Sequence, residues 1–388
     1  MSSDTGDSLT LDVPSPDVVQ ATRKVTAAVV REPGSFDLHV VQMAPPRADE
    51  VVVRIVATGL SHTDLVARDQ VYPVPLPIVL GREGAGVVEA VGSDVTKVAP
   101  GDHVVLSFLP CGHCRPCLDG FPANCANFND INFAGQRPDG SHALSLDGDA
   151  TLHDRFFGQS SFATYAIANV NNTVKVPDDP PLELLGPLGC DIQTGAGTVW
   201  RALKVQPGAS FAVTGAGAVG LSAVMAARVA GATTIIAVDD VESRLKLAHK
   251  LGATHTINGA AADAVTEIQR ISGGGVDYAL DTTGLPTLIQ QCVEGLRQKG
   301  TAAILGVSQP EDLIQLPVNG FVQSCKTLMG VVEGNSVPDV VIPRLIDLYL
   351  QGRFPFDLLA CFYDFDEINL AAADAASGAA IKPILRIG

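Results

Sequence analysis

Short runs of β-branched residues mark the first part of the chain. Residues 25–30 and 50–58 are rich in valine and threonine, and clusters of proline and glycine separate such runs. This pattern is typical of short strands joined by turns, so we expect a barrel-like β domain here. Residues 1–20, in contrast, are rich in serine, aspartate and proline and have little apolar periodicity, which predicts a disordered tail.

From about residue 207 the pattern changes to short apolar strands that alternate with alanine-rich helical stretches. Alternation of strands and helices indicates a parallel, doubly wound sheet with helices on its faces. The fold class predicted for the chain is therefore α/β, with a β-rich domain followed by a doubly wound domain. The strands expected in the second domain are residues 210–214, 234–238, 254–257, 276–280 and 301–305.

Composition and charge narrow the possible partners. With 388 residues, 46% hydrophobic residues and 38 glycines, the chain is long enough for two domains of an α/β enzyme. A formal net charge of −16 argues against a nucleic-acid surface, which needs clustered lysine and arginine. We find neither an apolar run long enough to cross a bilayer nor the features of a secretory signal, so we expect no membrane partner and a cytoplasmic location.

Four cysteines lie close together in the sequence with the spacing C-x2-C-x2-C-x7-C, namely Cys111, Cys114, Cys117 and Cys125. Four thiolates can complete the tetrahedral shell of a structural zinc ion. Two disulfides are the first alternative, but they are rare in the reducing cytosol. A four-cysteine iron–sulfur cluster is the second alternative, and the spacing alone does not exclude it.

A glycine-rich turn predicts a dinucleotide site. Gly215, Gly217 and Gly220 follow an apolar strand and open a helix, in the arrangement G-x-G-x-x-G that lets a pyrophosphate approach the backbone. Asp239 ends the next strand, where a carboxylate binds ribose hydroxyls and repels a 2′-phosphate. NAD(H) is therefore favoured over NADP(H), although Arg244 could also receive a phosphate.

Three further segments resemble the catalytic zinc segments of the zinc-dependent medium-chain alcohol dehydrogenases: residues 59–64 (GLSHTD), 81–86 (GREGAG) and 189–191 (GCD). In that family a cysteine, a histidine and a second cysteine from these segments hold zinc and leave its fourth position open. Here Ser61 and Arg82 occupy the first two positions, and only Cys190 remains. A single thiolate beside a guanidinium does not provide three zinc ligands, so we predict that the chain has no catalytic zinc.

The resemblance covers nearly all of the chain after the tail. It implies a GroES-like catalytic domain over residues 21–191 and 334–388, a Rossmann domain over residues 192–333, and an active site in the cleft between them. It favours zinc over an iron–sulfur cluster, and it implies a homodimer or homotetramer. Residues 72–77 (YPVPLP), 157–162 (FGQSSF) and 185–190 (LGPLGC) resemble the aryl-alcohol (benzyl alcohol) dehydrogenase branch, which implies a small hydrophobic or aromatic substrate.

Individual positions carry further expectations from the resemblance. His62 and Lys382 match cations that contact the cofactor phosphates, and Thr194 matches a residue beside the nicotinamide. Thr63 matches the hydroxyl that relays a proton between substrate and solvent.

Arg82 has two interpretations at the sequence level. Its permanent charge and forked donors could take over the electrostatic role of the metal by binding a substrate oxygen. Alternatively, it could fill the metal cavity as part of a buried ion pair with Glu83 or Asp191, and the two roles can coexist. Asp191 could also donate a proton if burial raised its pKa. Ser61 could donate a hydrogen bond to substrate or only fill space.

The leading hypothesis is therefore an NAD(P)H-dependent oxidoreductase that transfers hydride to an activated C=C, C=N or C=O bond without catalytic zinc. An aryl or allylic alcohol dehydrogenase with an altered metal site is the first alternative. A redox-neutral lyase, isomerase or cyclase on the same fold is the second, and a binding protein without catalytic activity is the third.

Overall fold

The computed structural model describes residues 22–146, 151–309 and 311–387. The tail predicted over residues 1–20 lies outside these ranges. The strands are β1 (Arg23–Val30), β2 (Asp37–Met43), β3 (Glu50–Gly59), β4 (Ile78–Val79), β5 (Glu83–Val91), β6 (His103–Leu106), β7 (Leu144–Ser145), β8 (Tyr165–Asn169), β9 (Thr173–Lys175), β10 (Ser210–Thr214), β11 (Thr234–Asp239), β12 (His255–Asn258), β13 (Val276–Asp281), β14 (Leu296–Ile304), β15 (Thr327–Gly330), β16 (Ala360–Asp364) and β17 (Lys382–Arg386).

Twelve α-helices connect and cover these strands in the described part of the chain. They are α1 (His62–Arg68), α2 (Arg115–Leu118), α3 (Phe128–Asn132), α4 (Leu182–Leu185), α5 (Asp191–Gly197), α6 (Ala218–Ala230), α7 (Glu242–Leu251), α8 (Ala264–Ser272), α9 (Pro286–Glu294), α10 (Val318–Ser324), α11 (Pro338–Leu350) and α12 (Ile368–Ser377).

Two sheets form the β-rich domain. One has the order β4-β1-β2-β7, and the other has the order β16-β17-β3-β5-β6-β9, with β8 also paired to β3. Strands β16 and β17 come from the end of the chain, and β17 pairs antiparallel with β3. The C-terminal strands thus lie in the same sheet as β3.

The second domain is a parallel six-stranded sheet with the order β12-β11-β10-β13-β14-β15. This is the 3-2-1-4-5-6 order of the Rossmann fold, whose ligand crevice lies where the strand order reverses, between β10 and β13. All five strands predicted in this domain are present. Strand β14 begins earlier than predicted, and β15, only four residues long, was not predicted.

One apolar core joins the two domains. It contains Ala57, Ala85 and Val105 of the β-rich domain together with Phe211 and Val213 of the parallel sheet. A core shared by both domains does not mark where one domain ends and the next begins. The boundaries at residues 191 and 334 therefore remain predictions.

Helices α5 and α6 pack closely at this junction. A Cβ atom on Gly195 would lie 2.1 Å from the carbonyl oxygen of Val219, so only glycine fits at this contact. The close packing places the second half of α5 against the beginning of α6.

None of the helices in the ranges described is long and apolar enough to span a membrane.

Candidate active site

A cavity of about 980 Å³ lies between the two domains and includes most of the predicted site residues. Both domains contribute to its lining. The residues of the site predictions found there are Ser61, His62, Thr63, Arg82, Asp191, Thr194, Gly215, Gly217, Gly220, Asp239 and Arg244.

The three glycines of the turn have the geometry that a bound pyrophosphate requires. Gly215 has a φ of +90°, which a side chain would strain. At Gly217 an added Cβ would meet no atom within 4 Å, so the backbone is open to a ligand. At Gly220 a Cβ would lie 1.8 Å from the carbonyl oxygen of Gly215, which shows how closely helix and turn pack. The turn therefore fits a dinucleotide at the beginning of α6.

Asp239 lies at the end of β11 and is fixed by the backbone. Its Oδ2 accepts a hydrogen bond from Ala216 N at 2.7 Å, and its Oδ1 accepts one from Val241 N at 2.8 Å. Arg244 Nη1 lies 3.8 Å from the same carboxylate, while Arg244 Nε is buried without a hydrogen-bond partner among the described residues. A ribose would thus meet both an anion and a guanidinium.

At the other end of the cavity, Ser61 holds helix α1 and Arg82 together. Ser61 is the N-cap of α1, where its Oγ accepts a hydrogen bond from Thr63 N at 3.3 Å. The same Oγ accepts hydrogen bonds from Arg82 Nε at 3.2 Å and Arg82 Nη2 at 2.8 Å. Asp64 completes the capping box and also accepts a hydrogen bond from Gly81 N at 3.2 Å, which ties the two altered segments together.

The Arg82 guanidinium is surrounded by acidic groups but still reaches the cavity. Its Nη2 donates to Asp191 Oδ1 at 3.3 Å, and Nη1 lies 3.8 Å from Glu333 Oε1, beyond hydrogen-bond distance. Its Cζ lies 5.1 Å from the ring centre of Phe157. Burial opposes its charge, but Cys190, Asp191 and Glu333 raise the pKa of Arg82 above its ordinary value. Arg82 is therefore a fixed cation in the cavity wall.

Lys382 lies behind Arg82 and is only 2% exposed. Its Nζ is 2.8 Å from Glu83 Oε2, 2.5 Å from Asp191 Oδ2 and 3.3 Å from the carbonyl oxygen of Leu60. The structure differs here from the prediction that Lys382 binds a cofactor phosphate, because the carboxyl groups of Glu83 and Asp191 already bind it and it does not line the cavity. His62, the other predicted phosphate contact, is exposed and does line the cavity.

Two acidic residues also differ from the roles predicted for them. Burial tends to raise the pKa of Asp191, but Lys382 and Arg82 outweigh it and hold this pKa below the ordinary value, so Asp191 is a carboxylate and not a proton donor. Glu83 is fully buried and does not line the cavity. Burial raises the pKa of Glu83 to about 8, although Lys382 opposes this shift. Glu83 pairs with Lys382 instead of the expected Arg82, and it accepts a hydrogen bond from Asp191 N at 2.9 Å, so it positions Asp191.

Potential metal ligands are present in this cluster, since one ligand atom each from Glu83, Cys190 and Asp191 lies within 4.8 Å of the others. The donor set does not fit a catalytic zinc, however. Both carboxylates already bind Lys382, and the Cys190 thiol donates to Glu333 at 3.2 Å. A zinc ion would have to displace an ammonium and lie beside a guanidinium.

Glu333 was not predicted from the sequence, yet it lines the cavity. It accepts hydrogen bonds from Cys190 Sγ at 3.2 and 3.3 Å and from Thr194 Oγ1 at 3.2 Å. Its φ is +47°, and the next two residues, Gly334 and Asn335, also have positive φ values of +65° and +50°. Left-handed backbone costs an ordinary residue about 1–2 kcal/mol, so the fold holds this turn against strain. The glycine and asparagine that follow Glu333 are the sequence signal that could have indicated the turn.

The four cysteines of the predicted zinc site lie together around α2: Cys111 and Cys114 precede the helix, Cys117 lies within it, and Cys125 follows it. Their sulfur atoms are all within 4.8 Å of one another, and Cys114 Sγ lies 3.9 Å from Cys125 Sγ. Zinc–sulfur bonds of about 2.3 Å in a tetrahedron place sulfurs about 3.8 Å apart, so the cluster fits a structural zinc. All four cysteines are free, and backbone N–H groups donate to the sulfurs of Cys111, Cys114 and Cys125. The fit supports zinc rather than the two disulfides considered from the sequence.

Comparison with known proteins gives the same assignment for both domains. Residues 47–178 match the family model "Alcohol dehydrogenase GroES-like domain", and residues 218–350 match "Zinc-binding dehydrogenase". Geraniol dehydrogenase of Castellaniella defragrans is 46% identical over 362 residues, which are 92% of this chain and 96% of the relative.

Two solved structures match almost the whole chain. A zinc-binding domain protein of the alcohol dehydrogenases from Burkholderia ambifaria has 56% identity and a TM-score of 0.93, with 95% of this chain and 100% of the other covered. Benzyl alcohol dehydrogenase from Acinetobacter calcoaceticus has 52% identity and a TM-score of 0.92, with 94% and 100% covered. These findings confirm the predicted resemblance, and the chain belongs to the zinc-type alcohol dehydrogenases, the medium-chain oxidoreductases built from a GroES-like and a Rossmann domain.

Proposed function

We propose that this protein uses NADH to reduce an activated double bond in a hydrophobic or aromatic substrate, and that it does so without a catalytic zinc. The observation that carries the proposal is the position of Arg82. Its guanidinium donates hydrogen bonds to Ser61 and Asp191. In the zinc-dependent members of the family, the residues matching Ser61, Arg82 and Cys190 hold the catalytic metal. The region is occupied by a permanent cation with its own partners.

The free donors of Arg82 give it a function in the reaction. Nε and Nη2 are used by Ser61 and Asp191, whereas Nη1 makes no hydrogen bond within the described residues. Nη1 can therefore bind a substrate oxygen and stabilise the negative charge that develops on it. Because three contacts already fix the guanidinium, little reorganisation is needed during the reaction.

A guanidinium and a zinc ion favour different directions of reaction. Zinc lowers the pKa of a bound alcohol strongly and so prepares it for oxidation. Arg82 binds an oxygen through hydrogen bonds and has a weaker effect on the alcohol, so alcohol oxidation is disfavoured. Reduction of a conjugated C=C, a C=N or a C=O bond needs less activation because the acceptor is already electrophilic.

The cofactor end of the cavity supports NADH as the electron donor. When bound at the glycine turn, the nicotinamide cofactor supplies the hydride. The open backbone at Gly217 leaves space for the pyrophosphate, and Asp239 favours ribose hydroxyls over a 2′-phosphate. Thr194 also lines the cavity, as its proposed place beside the nicotinamide requires.

Aromatic and aliphatic side chains line the substrate end of the cavity. Tyr72, Phe133 and Phe157 contribute aromatic surface there, and Leu65 and Val66 contribute aliphatic surface. Apolar lining with few polar groups is typical of a site for a small hydrophobic substrate. The names of the geraniol and benzyl alcohol dehydrogenases refer to an allylic and an aromatic alcohol, and we propose a substrate of related shape here.

The similarity to those two proteins also favours a second candidate function. The protein could oxidise an aryl or allylic alcohol with NAD⁺, with Thr63 relaying the proton out of the cavity. In that case a metal or a strong base would have to activate the alcohol for oxidation, because Ser61 and Arg82 do not do so. Metal content separates the two candidates.

The test combines metal analysis with cofactor turnover. Zinc per chain is measured on protein prepared in metal-free buffer, and NADH oxidation is followed with aromatic aldehydes, enals and cyclic iminium ions. We expect one zinc per chain and NADH oxidation with at least one of these acceptors. Two zinc ions per chain with alcohol oxidation would support the second candidate instead.

The Arg82→Ala variant tests the role of the guanidinium. Removing one donor to a developing oxyanion costs about 10²–10³-fold in kcat. We expect a loss of that size with retained NADH binding and one zinc per chain. Arg270→Ala is the control, because Arg270 lies on the surface and pairs with Glu267 in the Rossmann domain. Equal activity of the two variants would reduce Arg82 to a structural role.

A further inference from the structure

We propose that Glu333 is the general acid of this site and that its carboxyl group supplies the proton that a substrate oxygen takes up when hydride is transferred. This inference rests on the proposed reductase function. It concerns the source of the proton, which neither Arg82 nor the cofactor provides.

The position of Glu333 relative to Arg82 is the first support. Glu333 Oε1 lies 3.8 Å from Arg82 Nη1, the nitrogen whose hydrogens remain free within the described residues. A substrate oxygen hydrogen-bonded to Nη1 would therefore lie next to Oε1. Both side chains line the cavity, so the substrate can reach both without a rearrangement of the backbone.

The hydrogen bonds of Glu333 are those that a protonated carboxyl group can accept. Oε2 accepts from the Thr194 hydroxyl, and the Cys190 thiol lies 3.2 Å from Oε1 and 3.3 Å from Oε2, so its single hydrogen can be donated to either oxygen. Both donors are neutral. Oε1 can therefore carry the proton and direct it towards the cavity while Oε2 remains an acceptor.

The other acidic side chains of the cluster are less suited to donate. Asp191 is bound by Lys382 and Arg82 and stays ionised. Glu83 and Asp64 are 0% exposed and do not line the cavity. Among the described residues around Arg82, Glu333 is the carboxyl group that combines access to the cavity with no hydrogen bond to a cation.

Burial favours the neutral form of Glu333. Burial raises the pKa of Glu333, Arg82 lowers it, and Asp191 raises it. Cys190 and Thr194 contribute hydrogen bonds to the ionised form and oppose the increase. The whole cluster holds four carboxyl groups (Asp64, Glu83, Asp191 and Glu333) against the two cations Arg82 and Lys382, and this excess of acidic groups disfavours ionisation of all four at once.

For a carbonyl substrate the step is balanced as follows. Hydride adds to the carbonyl carbon, the C=O π pair moves to the oxygen, and the oxygen takes the proton from Glu333 Oε1. The product is an alcohol, and Glu333 is left as a carboxylate that solvent reprotonates through the cavity. For a conjugated carbonyl, hydride adds to the β carbon, the enolate oxygen takes the same proton, and the enol then tautomerises.

A quaternary iminium ion provides an internal control, because hydride addition to its carbon gives a neutral amine and needs no proton. The experiment compares cinnamaldehyde with N-methyl-3,4-dihydroisoquinolinium in single-turnover oxidation of bound NADH. Glu333→Gln keeps the shape of the side chain but cannot donate a proton. We expect it to slow reduction of cinnamaldehyde about 10²-fold or more beyond any change in the rate with the iminium ion.

The pH profile distinguishes a proton donor from a structural residue. In the unmodified protein the rate with cinnamaldehyde should fall as pH rises, because Glu333 acts only when protonated. Glu333→Gln should remove this basic limb, and Glu333→Asp should keep it at a lower rate. Melting temperature and NADH affinity are measured for both variants, and Glu333→Asp remains informative if Glu333→Gln does not fold.

The possible outcomes separate this inference from the proposed function. Loss of activity with both substrates, or with neither, would overturn the acid role while the reductase function stands. An unmodified protein that reduces the iminium ion but not cinnamaldehyde would also overturn it. If the unmodified protein oxidises NADH with no acceptor, the proposed function fails and the role of Glu333 fails with it.

Discussion

In the described part of the chain, two regions bring together side chains of metal-binding types, and they differ in charge and in surroundings. The cysteine loop has four thiol ligands, three partly exposed and one buried, whose sulfurs all lie within 4.8 Å of one another. The cleft network, which we define as Ser61, Arg82, Glu83, Cys190, Asp191, Glu333 and Lys382, is buried and contains both signs of charge. In the loop the ligands alone determine the function. In the network each potential ligand already binds another side chain. The function of the network therefore depends on these contacts, which the residue types alone do not predict.

The largest effect is expected from the cysteine loop. Cys125→Ser leaves three thiolates, and we expect zinc content to fall from about one ion per chain to nearly none. Because metal binding supplies folding free energy at structural zinc sites, we expect a loss of stability on the order of several kcal/mol. Elemental analysis and thermal unfolding measure the two changes. Cys325→Ser is the control, since Cys325 is exposed and lies outside the loop. Full zinc content in the Cys125 variant would contradict the assignment.

The cleft network should lose less stability when one of its charges is removed. Lys382→Met leaves Glu83 and Asp191 without their ammonium partner, and an unpaired buried charge costs about 3–5 kcal/mol. We expect a lower melting temperature with zinc content unchanged, in contrast to the cysteine variant. Lys175→Met is the matched control, because Lys175 forms an exposed pair with Asp102 that is worth about 0–1 kcal/mol.

The same variant also tests the role that the sequence predicted for Lys382. If Lys382 bound a cofactor phosphate, Lys382→Met would weaken NADH binding and change the melting temperature of the free protein no more than the control does. The structure leads us to expect the opposite result.

A double substitution tests whether the cleft network can be converted into a zinc site, as the cysteine loop is proposed to be. Ser61→Cys with Arg82→His supplies a thiol and an imidazole beside Cys190, which provides the three ligands that a catalytic zinc needs. We expect zinc content to rise from about one to about two ions per chain. In the Ser61→Cys single variant the zinc content should stay near one ion per chain, because Arg82 still occupies the region. Two ions per chain in the unmodified protein would remove the contrast between loop and network.

Local patterns were enough to predict much of the fold. The alternation of apolar strands and helices gave five strands of the parallel sheet, and the spacing of glycines and cysteines gave the cofactor turn and the cysteine loop. These features depend on neighbouring residues. Strand β15 was missed because four residues carry too little periodicity.

The cleft network could not be predicted in the same way, because its contacts join distant parts of the chain. Lys382 and Asp191 are 191 residues apart, and Glu333 and Thr194 are 139 residues apart. The expected proton donor Asp191 depended on burial alone, whereas the structure adds two cations that reverse the effect on its pKa. Glu333 reaches the cavity through a left-handed turn that only the folded chain reveals.

The smallest effect concerns the cofactor turn, a region that resembles the cysteine loop because its motif is intact. If an intact motif is enough to predict cofactor choice, Asp239→Ser should shift the preference from NADH towards NADPH by roughly tenfold, a free-energy change of about 1.4 kcal/mol. The carboxylate that repels a 2′-phosphate is removed, and Arg244, 3.8 Å from it, becomes free to bind the phosphate. The ratio of kcat/KM for the two cofactors is the measurement, and Asp240→Asn, at the next position in the cavity lining, is the control. Equal shifts in both variants would mean that general charge, and not the position of Asp239, sets the preference. A protein that already prefers NADPH would show that Arg244 outweighs Asp239, and that even an intact motif needs the surrounding structure for its interpretation.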